Sequence, residues 1–343
     1  LHDALPILYL DPAHLELKER YLRAAKASLK AYSEWYGPYP YSTLSVVVPP
    51  AGAGGAAGME YPTLITAWAA DDAMPGLALE RVVAHEIAHQ YWYGMVASNE
   101  FEEAWLDEGF ASYSEEKLLE AEYGVPPNTA LEASYITNPA ALTKLSWNFD
   151  SHGHYAENVY IRGKLVLLAM EREIGEAKMK RVLRTYFNRW KFKHPATGDF
   201  QKTVEDVTGR SWAEFFSQFV YEGRMADYAV ESIERIASSP GTYAYRVTVS
   251  GKDGKAGPVY VRFVYEDGQS VKQLWSGEED TVVFRLPPHT AKLRYAVVDP
   301  DFEVVLENRR YNNFLKTDVD DRTENRWTIG AAKLIESLPG PPR

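Results

Sequence analysis

The H-E-x-x-H sequence formed by residues 85–89 constrains the fold of this 343-residue chain more than any other feature. On an α-helix, residues four apart lie on one face, so the imidazoles of His85 and His89 can converge on one metal ion. Glu86, one step round the helix, then faces the remaining coordination position. This arrangement is typical of zinc hydrolases, and it requires the segment to be helical.

The surrounding sequence predicts two helices that complete the site. Residues 77–93 form the first, which begins after a Pro-Gly pair and ends at Gly94, so both histidines would lie mid-helix. The second is expected over residues 101–123. Packed antiparallel against the first, it would bring Glu108 over the histidines as a third ligand and leave the fourth position for water. The alternative, two core histidines and a surface glutamate, would need polar partners for both buried imidazoles.

Charge and composition restrict the possible partners. A formal net charge of −11 and the absence of a basic block argue against nucleic acid, whose phosphates require clustered Lys and Arg. Without cysteine, only histidine and carboxylate side chains remain as metal ligands. No apolar run approaches the ~20 residues of a membrane helix. We therefore expect a soluble protein with no membrane-spanning segment, and find no signal for its compartment or oligomeric state.

The beginning of the chain suggests a fragment. Residue 1 is Leu1 and not Met, and residues 1–10 lack the charged start and the cleavage site of a signal peptide. We expect no export signal here, and we expect the native protein to be longer.

Apolar periodicity predicts an α+β organisation. Helices are expected over residues 16–35, 158–174, 178–189, 199–208 and 212–221, and a small sheet from strands 44–48 and 61–66. Alternating segments then predict a β-sandwich from strands 243–250, 259–265, 281–286 and 292–298. We place the helical, catalytic domain at 1–225, the β-sandwich domain at 226–311 and a C-terminal tail at 312–343, with one helix near 330–338.

Two further motifs, one before and one after the helix pair, make the chain similar to a known family. Residues 58–62 read Gly-Met-Glu-Tyr-Pro, and residues 160–163 read Tyr-Ile-Arg-Gly. In this order and spacing, the four motifs make the chain resemble the gluzincin zinc aminopeptidases, the family of aminopeptidase N and the leukotriene hydrolases. The resemblance covers residues 16–227. It implies a mainly helical, thermolysin-like metallopeptidase domain with a small sheet, followed by a β-sandwich domain, without the family's other flanking domains.

The resemblance assigns the catalytic residues. It implies that His85, His89 and Glu108 bind one Zn²⁺ per chain. Glu86 matches the base that takes a proton from zinc-bound water and passes it to the departing amine, and zinc lowers the pKa of such water to about 7. Tyr160 matches the tyrosine that donates to the oxyanion of the tetrahedral intermediate.

The resemblance also assigns substrate contacts. Glu60 matches the glutamate that holds the free α-ammonium of the substrate, although Tyr61 follows it where better-known members have Asn. Gly58 and Met59 would let this strand pair with the substrate backbone. Tyr155 is a candidate flanking residue of the site.

The implied function is a zinc-dependent aminopeptidase that hydrolyses the N-terminal bond of peptides. Two alternatives remain: a zinc endopeptidase or other zinc hydrolase with an open cleft, and a protein-binding module that keeps the zinc fold without turnover. Asp107 and Glu103 are near enough in sequence to support the histidines. For both, ordinary surface charge is the favoured interpretation.

Overall fold

The computed structural model describes residues 4–50, 52–56, 58–69 and 76–317. The described residues form two compact units, one made of those up to Ala226 together with Val304–Asn308, and the other of Asp227–Glu303 together with residues 309–317. The helix expected near 330–338 lies outside the described residues. Within the described ranges, no helix combines the length and the apolar character needed to cross a membrane.

A parallel three-stranded sheet begins the first unit. Its strands β1 (Leu5–Tyr9), β2 (Thr43–Val47) and β3 (Leu64–Thr66) lie in that order. Helix α1 (Lys18–Trp35) connects β1 to β2 and buries the apolar face predicted for it. The sequence did not predict β1, because its side chains alternate between exposed and half-buried positions with little polar contrast.

Helices form the rest of this unit. In the described residues they are α2 (Ala78–Ala88), α3 (Glu108–Tyr123), α4 (Thr129–Ser134), α5 (His152–Ala156), α6 (Gly163–Ile174), α7 (Glu176–Trp190), α8 (Thr197–Thr208) and α9 (Ala213–Phe216). Two π-helical segments, Glu157–Arg162 and Ser217–Tyr221, join α5 to α6 and extend α9. The short helices α4 and α5 were not predicted, whereas each of the other helices lies within a predicted helix or overlaps one.

The two helices of the zinc motif are shorter than predicted. Helix α2 ends at Ala88, and His89 is its C-terminal cap with φ −63° and ψ −19°. The prediction that both histidines lie mid-helix is therefore wrong for His89, because the chain turns until Tyr93 adopts φ 120°. Since His89 itself keeps helical angles, the four-residue spacing still places both imidazoles on one face. In the second helix, Glu103 adopts non-helical angles and α3 begins only at Glu108.

A close contact between α3 and α6 fixes their separation. A Cβ atom added to Gly109 would lie 3.1 Å from Cα of Gly163 and 3.3 Å from the carbonyl oxygen of Val159. The two helices approach this closely because both contact positions lack a side chain. The contact places Glu108, next to Gly109, beside the π-helical segment that carries Tyr160.

The second unit is a β-sandwich. Its strands are β4 (Tyr228–Ile236), β5 (Tyr243–Gly251), β6 (Val259–Tyr265), β7 (Ser270–Trp275), β8 (Thr281–His289), β9 (Leu293–Val298) and β10 (Phe314–Lys316). They form two antiparallel sheets, ordered β4-β5-β8 and β10-β9-β6-β7. The sheets face each other, since the ring of Phe263 lies 5.3 Å from that of Phe284 and Tyr228 lies 5.6 Å from Trp275. Together with the helical first unit, this confirms the predicted fold class.

Three strands of the sandwich were not predicted. Strand β4 lacks regular alternation between buried and exposed residues, and β7 is an edge strand whose side chains are mostly exposed. Strand β10 is three residues long and pairs with β9 through Phe314 and Val297, inside the segment expected to be a tail. Such strands depend on their neighbours for stability, so their own sequences carry a weak signal.

Candidate active site

The two motif histidines meet at one point beside the end of α2. Burial of Val83, Ala84 and Ile87 in the core fixes the rotation of this helix and turns the histidines toward α3. The Nε2 atoms of His85 and His89 lie 3.1 Å apart. Because neither histidine can move far from its packed backbone, the pair forms a preformed binding edge.

Glu108 completes a three-ligand set. Its Oε2 atom lies 3.1 Å from Nε2 of His85 and 3.2 Å from Nε2 of His89. Ligand atoms about 2.0–2.1 Å from a tetrahedral zinc ion are separated by about 3.3 Å, close to these distances. The donor set, two imidazole nitrogens and one carboxylate oxygen, is also one that zinc prefers. The residues therefore fit a zinc ion with an open fourth position.

Carboxylates behind both histidines orient the rings. Nδ1 of His89 lies 2.6 Å from Oδ1 of Asp107, and Nδ1 of His85 lies 3.2 Å from Oε2 of Glu115. Protonated on Nδ1, each ring donates to its carboxylate and presents Nε2 to the metal position. Asp107 is 1% exposed, so the interpretation as surface charge was wrong for this residue. Glu103 does not contact the histidines, and its carboxylate instead accepts from the backbone N–H of Thr197 at 3.1 Å.

A row of alternating charges supports Glu115. Arg81 donates to Glu115 at 2.7 Å and to Glu116 at 3.2 Å, and Lys164 lies 3.1 Å from Glu116 and 2.9 Å from Glu132. Sequence reasoning missed these residues, because the partners come from four separate elements. The only available signal was Arg81 itself, which lies one helical turn before the first histidine.

Electrostatic effects at the ligands are large. Although burial lowers the pKa of His85, hydrogen bonds with Glu108 and Glu115 raise it to about 10. Burial raises the pKa of Glu108, but the two imidazoles outweigh it and lower that pKa well below its usual range. Glu108 is therefore ionised, which suits a carboxylate that could bind a metal ion.

Glu86 is a buried carboxylate beside this set. It is 5% exposed, and among the described residues its Oε2 atom has no hydrogen-bond partner. Burial raises the pKa of Glu86 to about 7, although His85 and His89 act in the opposite direction. A Cβ atom added to Gly58, which has φ +66°, would lie 3.4 Å from Oε1 of Glu86. The unpartnered oxygen points to a water or a substrate group as its partner.

Tyr160 reaches the site from the π-helical segment. Its hydroxyl donates to Oε1 of Glu108 at 2.6 Å, and its ring stacks on that of His85 at 5.8 Å. Burial, followed by the charge of Glu108, raises the pKa of Tyr160 above its ordinary value, so the hydroxyl keeps its proton. The ring of Tyr155 lies 6.1 Å from that of Tyr160, which places this predicted flanking residue next to the site.

Glu60 lies close to Glu86. Its side chain is 6% exposed, and single ligand atoms of Glu60, Glu86 and His89 lie within 4.8 Å of one another. Met59 exchanges backbone hydrogen bonds with Thr66, since its N–H donates at 3.4 Å and its carbonyl accepts at 2.9 Å. The N–H of Gly58 also donates to Thr66, at 3.0 Å, so β3 occupies these backbone groups in this structure. The pairing of Gly58 and Met59 with a substrate stays a prediction.

A second carboxylate, absent from the sequence predictions, joins Glu60. Single ligand oxygens of Glu60, Glu100 and Asp107 also lie within 4.8 Å of one another. Glu100 is half-buried, and its carbonyl oxygen accepts from the hydroxyl of Ser146 at 2.8 Å. No local pattern marks this residue, which lies in the connection between α2 and α3.

Comparison with known proteins agrees with this arrangement. A profile of the Peptidase family M1 domain matches residues 20–219, more than half of the chain. Aminopeptidase M1-C of Oryza sativa subsp. japonica is 24% identical over 204 residues, which are 53% of this chain and 23% of that protein. Glutamyl aminopeptidase of Sus scrofa is 30% identical over 148 residues, which are 37% of this chain and 15% of that protein. The chain thus spans less than a quarter of either relative.

A solved structure shares the fold. Aminopeptidase A of Legionella pneumophila, crystallised in complex with aspartic acid, superposes with a TM-score of 0.66 at 16% sequence identity. The match covers 88% of this chain and 36% of the other. Since the family profile spans strands β2 and β3, both motif helices and the segment of Tyr160, the chain belongs to peptidase family M1.

Proposed function

We propose that this chain carries the catalytic unit of a zinc-dependent aminopeptidase, which hydrolyses the N-terminal peptide bond of peptides. One observation carries the proposal: the buried carboxylate of Glu60 lies beside Glu86 and His89, with single ligand atoms of all three within 4.8 Å. An acceptor for the substrate's α-ammonium would then lie next to Glu86, the group that would activate the water attacking the first carbonyl. The geometry favours an exopeptidase over an endopeptidase.

His85, His89 and Glu108 would hold one zinc ion. When bound, zinc would lower the pKa of a water molecule and polarise the substrate carbonyl. Asp107 and Glu115 keep Nε2 of the two imidazoles free for the metal, because each accepts the Nδ1 proton.

Glu86 would move the proton. Its free Oε2 can accept a proton from the attacking water and deliver it to the nitrogen of the departing amine. Because burial raises the pKa of Glu86 to about 7, the carboxyl group can both gain and lose a proton near neutral pH.

Tyr160 would stabilise the charge that develops on the carbonyl oxygen. Its hydroxyl now donates to Glu108 at 2.6 Å, and it can turn that donor toward the oxyanion without losing its proton. A preorganised neutral donor of this kind gains strength in a site that excludes water. Tyr155, next to it, would help to enclose the same space.

Glu60 would set the position of the substrate. Its carboxylate would pair with the α-ammonium, and the backbone of Glu60 would be available to the substrate, since the N–H groups of Gly58 and Met59 both donate to Thr66. A peptide bound in this way exposes only its first peptide bond to Glu86.

Two substitutions test this function with aminoacyl-arylamide substrates. Glu86→Gln should abolish hydrolysis while zinc remains bound. Glu60→Ala should reduce kcat/KM by at least about a hundredfold, because a charged group loses its buried partner. If Glu60→Ala left hydrolysis unchanged while Glu86→Gln abolished it, an endopeptidase or another hydrolase would be favoured. If zinc bound but no peptide library were cleaved, a non-catalytic binding module would replace the enzyme.

A further inference from the structure

We infer that Glu100 is a second carboxylate of the α-ammonium subsite and, together with Glu60, determines the requirement for a free N-terminus. The inference rests on the proposed aminopeptidase function and extends it to a residue outside the recognised motifs. Its basis is the juxtaposition of Glu60, Glu100 and Asp107, whose ligand oxygens lie within 4.8 Å of one another.

The carboxylates of Glu60 and Glu100 are both available. Among the described residues, no hydrogen-bond donor and no cationic side chain pairs with either of them, although Glu60 is only 6% exposed. Asp107 differs, because His89 occupies it at 2.6 Å. A carboxylate buried to this degree without a partner is costly, so the site calls for a positively charged ligand.

The spacing suits an ammonium group. Hydrogen bonds between a cationic nitrogen and a carboxylate are about 2.7–2.9 Å long, so one nitrogen can contact two oxygens that are 4.8 Å apart. An ammonium has three donors, enough for both Glu60 and Glu100 with one to spare. The third donor can form a hydrogen bond with water.

The short distance between the α-nitrogen and the first carbonyl of a peptide also supports this subsite. In any peptide the α-nitrogen lies about 2.5 Å from the carbonyl carbon of the same residue. The group that binds the ammonium must therefore be adjacent to the group that acts on the carbonyl. Glu60 meets this condition, because single ligand oxygens of Glu86 and of Glu100 each lie within 4.8 Å of one of its own.

The cluster is held in place at a cost to the free protein. Burial raises the pKa of Glu100, and the charges of Glu60 and Glu108 raise it further, against the opposing effect of His89. The hydroxyl of Ser146 donates to the backbone carbonyl of Glu100 at 2.8 Å, which helps to hold the backbone at this residue. Repulsion of this kind is relieved when a cation binds.

Paired inhibitors separate ammonium recognition from every other contact. The first is the aminoacyl hydroxamate whose side chain is best cleaved in the arylamide series, and the second is the same compound without its α-amine. Both are titrated calorimetrically into zinc-loaded wild-type protein and into Glu100→Gln. The wild type should bind the amino compound on the order of a hundredfold more tightly. The affinity ratio is the Kd of the compound without the amine divided by the Kd of the amino compound. In Glu100→Gln this ratio should fall about fivefold to tenfold, because only the amino compound binds more weakly.

A matched control lies on the same connection. Glu102 is exposed, and Glu102→Gln makes the same charge change without touching the cluster. This control should keep the wild-type ratio. Glu100→Gln should also be at least as heat-stable as the wild type, because the change removes repulsion, whereas a merely structural glutamate would lower Tm.

The outcomes separate this inference from the function on which it rests. A wild-type ratio near one would refute the aminopeptidase function itself. A ratio that falls in Glu60→Gln but not in Glu100→Gln would leave that function standing and overturn the role of Glu100. Equal weakening of both inhibitors in Glu100→Gln would overturn it too, as would a second equivalent of bound zinc that disappears in that variant, since the cluster would then be a metal site.

Discussion

The hydroxyl of Tyr160 donates to one oxygen of Glu108 at 2.6 Å, while the other oxygen of the same carboxylate faces both motif histidines. The proposed oxyanion donor and the proposed third zinc ligand are thus directly coupled. The close contact of Gly109 with Gly163 sets the distance between the elements that carry them.

Tyr160→Phe should lower kcat by about 10²–10³ with little change in KM, because the lost donor acts on charge that forms only in the transition state. Steady-state kinetics on an aminoacyl arylamide measure this change. Zinc content and Tm should stay close to the wild-type values. Tyr135→Phe, at an exposed position, removes a hydroxyl away from the site and should leave kcat unchanged. An equal loss in both variants would contradict the assignment.

Asp107→Ala should weaken zinc binding by about 10–100-fold, because His89 loses the carboxylate that holds its ring at 2.6 Å. Competition with a chromophoric chelator gives the dissociation constant directly. The exposed Glu102→Gln serves as a control for the change in charge. An unchanged zinc affinity in Asp107→Ala would show that the contact with Trp92, whose carbonyl lies 3.1 Å from the same nitrogen, suffices to orient the ring.

Gly109→Ala should destabilise the first unit by about 1–3 kcal/mol, because the new Cβ would meet backbone atoms of Gly163 and Val159, which cannot rotate away. The displacement of α3 from α6 should also separate Glu108 from Tyr160. We therefore expect kcat/KM to fall by a larger factor than the loss of folded protein explains. Gly198→Ala is the matched control: it lies in helix α8, a Cβ there meets no atom within 4 Å, and it should be neutral or slightly stabilising. Denaturant titration with parallel kinetics distinguishes the two. Equal stability of both variants would mean that the helices can separate without cost.

Removal of zinc by a chelator should abolish hydrolysis and lower Tm, because a ligand at a thousandfold excess over its Kd stabilises the fold by about 4 kcal/mol. Both properties should return when about one equivalent of zinc is added. Differential scanning fluorimetry and a metal assay follow the two effects together. Full activity in metal-free protein would exclude a metal-dependent mechanism.

The sequence predicted the parts of the site that depend on local spacing. The four-residue separation of His85 and His89, and the placement of Glu108 on the following helix, needed only helical geometry, and the structure brings these three side chains together. The stop of α3 at Gly124 was also predicted, and that residue adopts the left-handed conformation at the cap.

Contacts between separate elements were not predictable in this way. The carboxylate of Asp107 was interpreted as surface charge, because its burial depends on the packing of α3 against α2. Glu100 and Arg81 lie close to residues that are up to 40 positions away in the sequence, and no periodic pattern marks them. The π-helical segment around Tyr160 was read as ordinary helix, since its extra residue per turn leaves no compositional trace.

The most direct test of the proposed function compares free and N-acetylated forms of the same aminoacyl arylamides on protein of known zinc content. The account predicts about one zinc per chain, chelator-sensitive cleavage of the free forms, and a kcat/KM at least about a hundredfold lower for the acetylated forms, which present no ammonium to Glu60. Equal cleavage of free and acetylated substrates would contradict it.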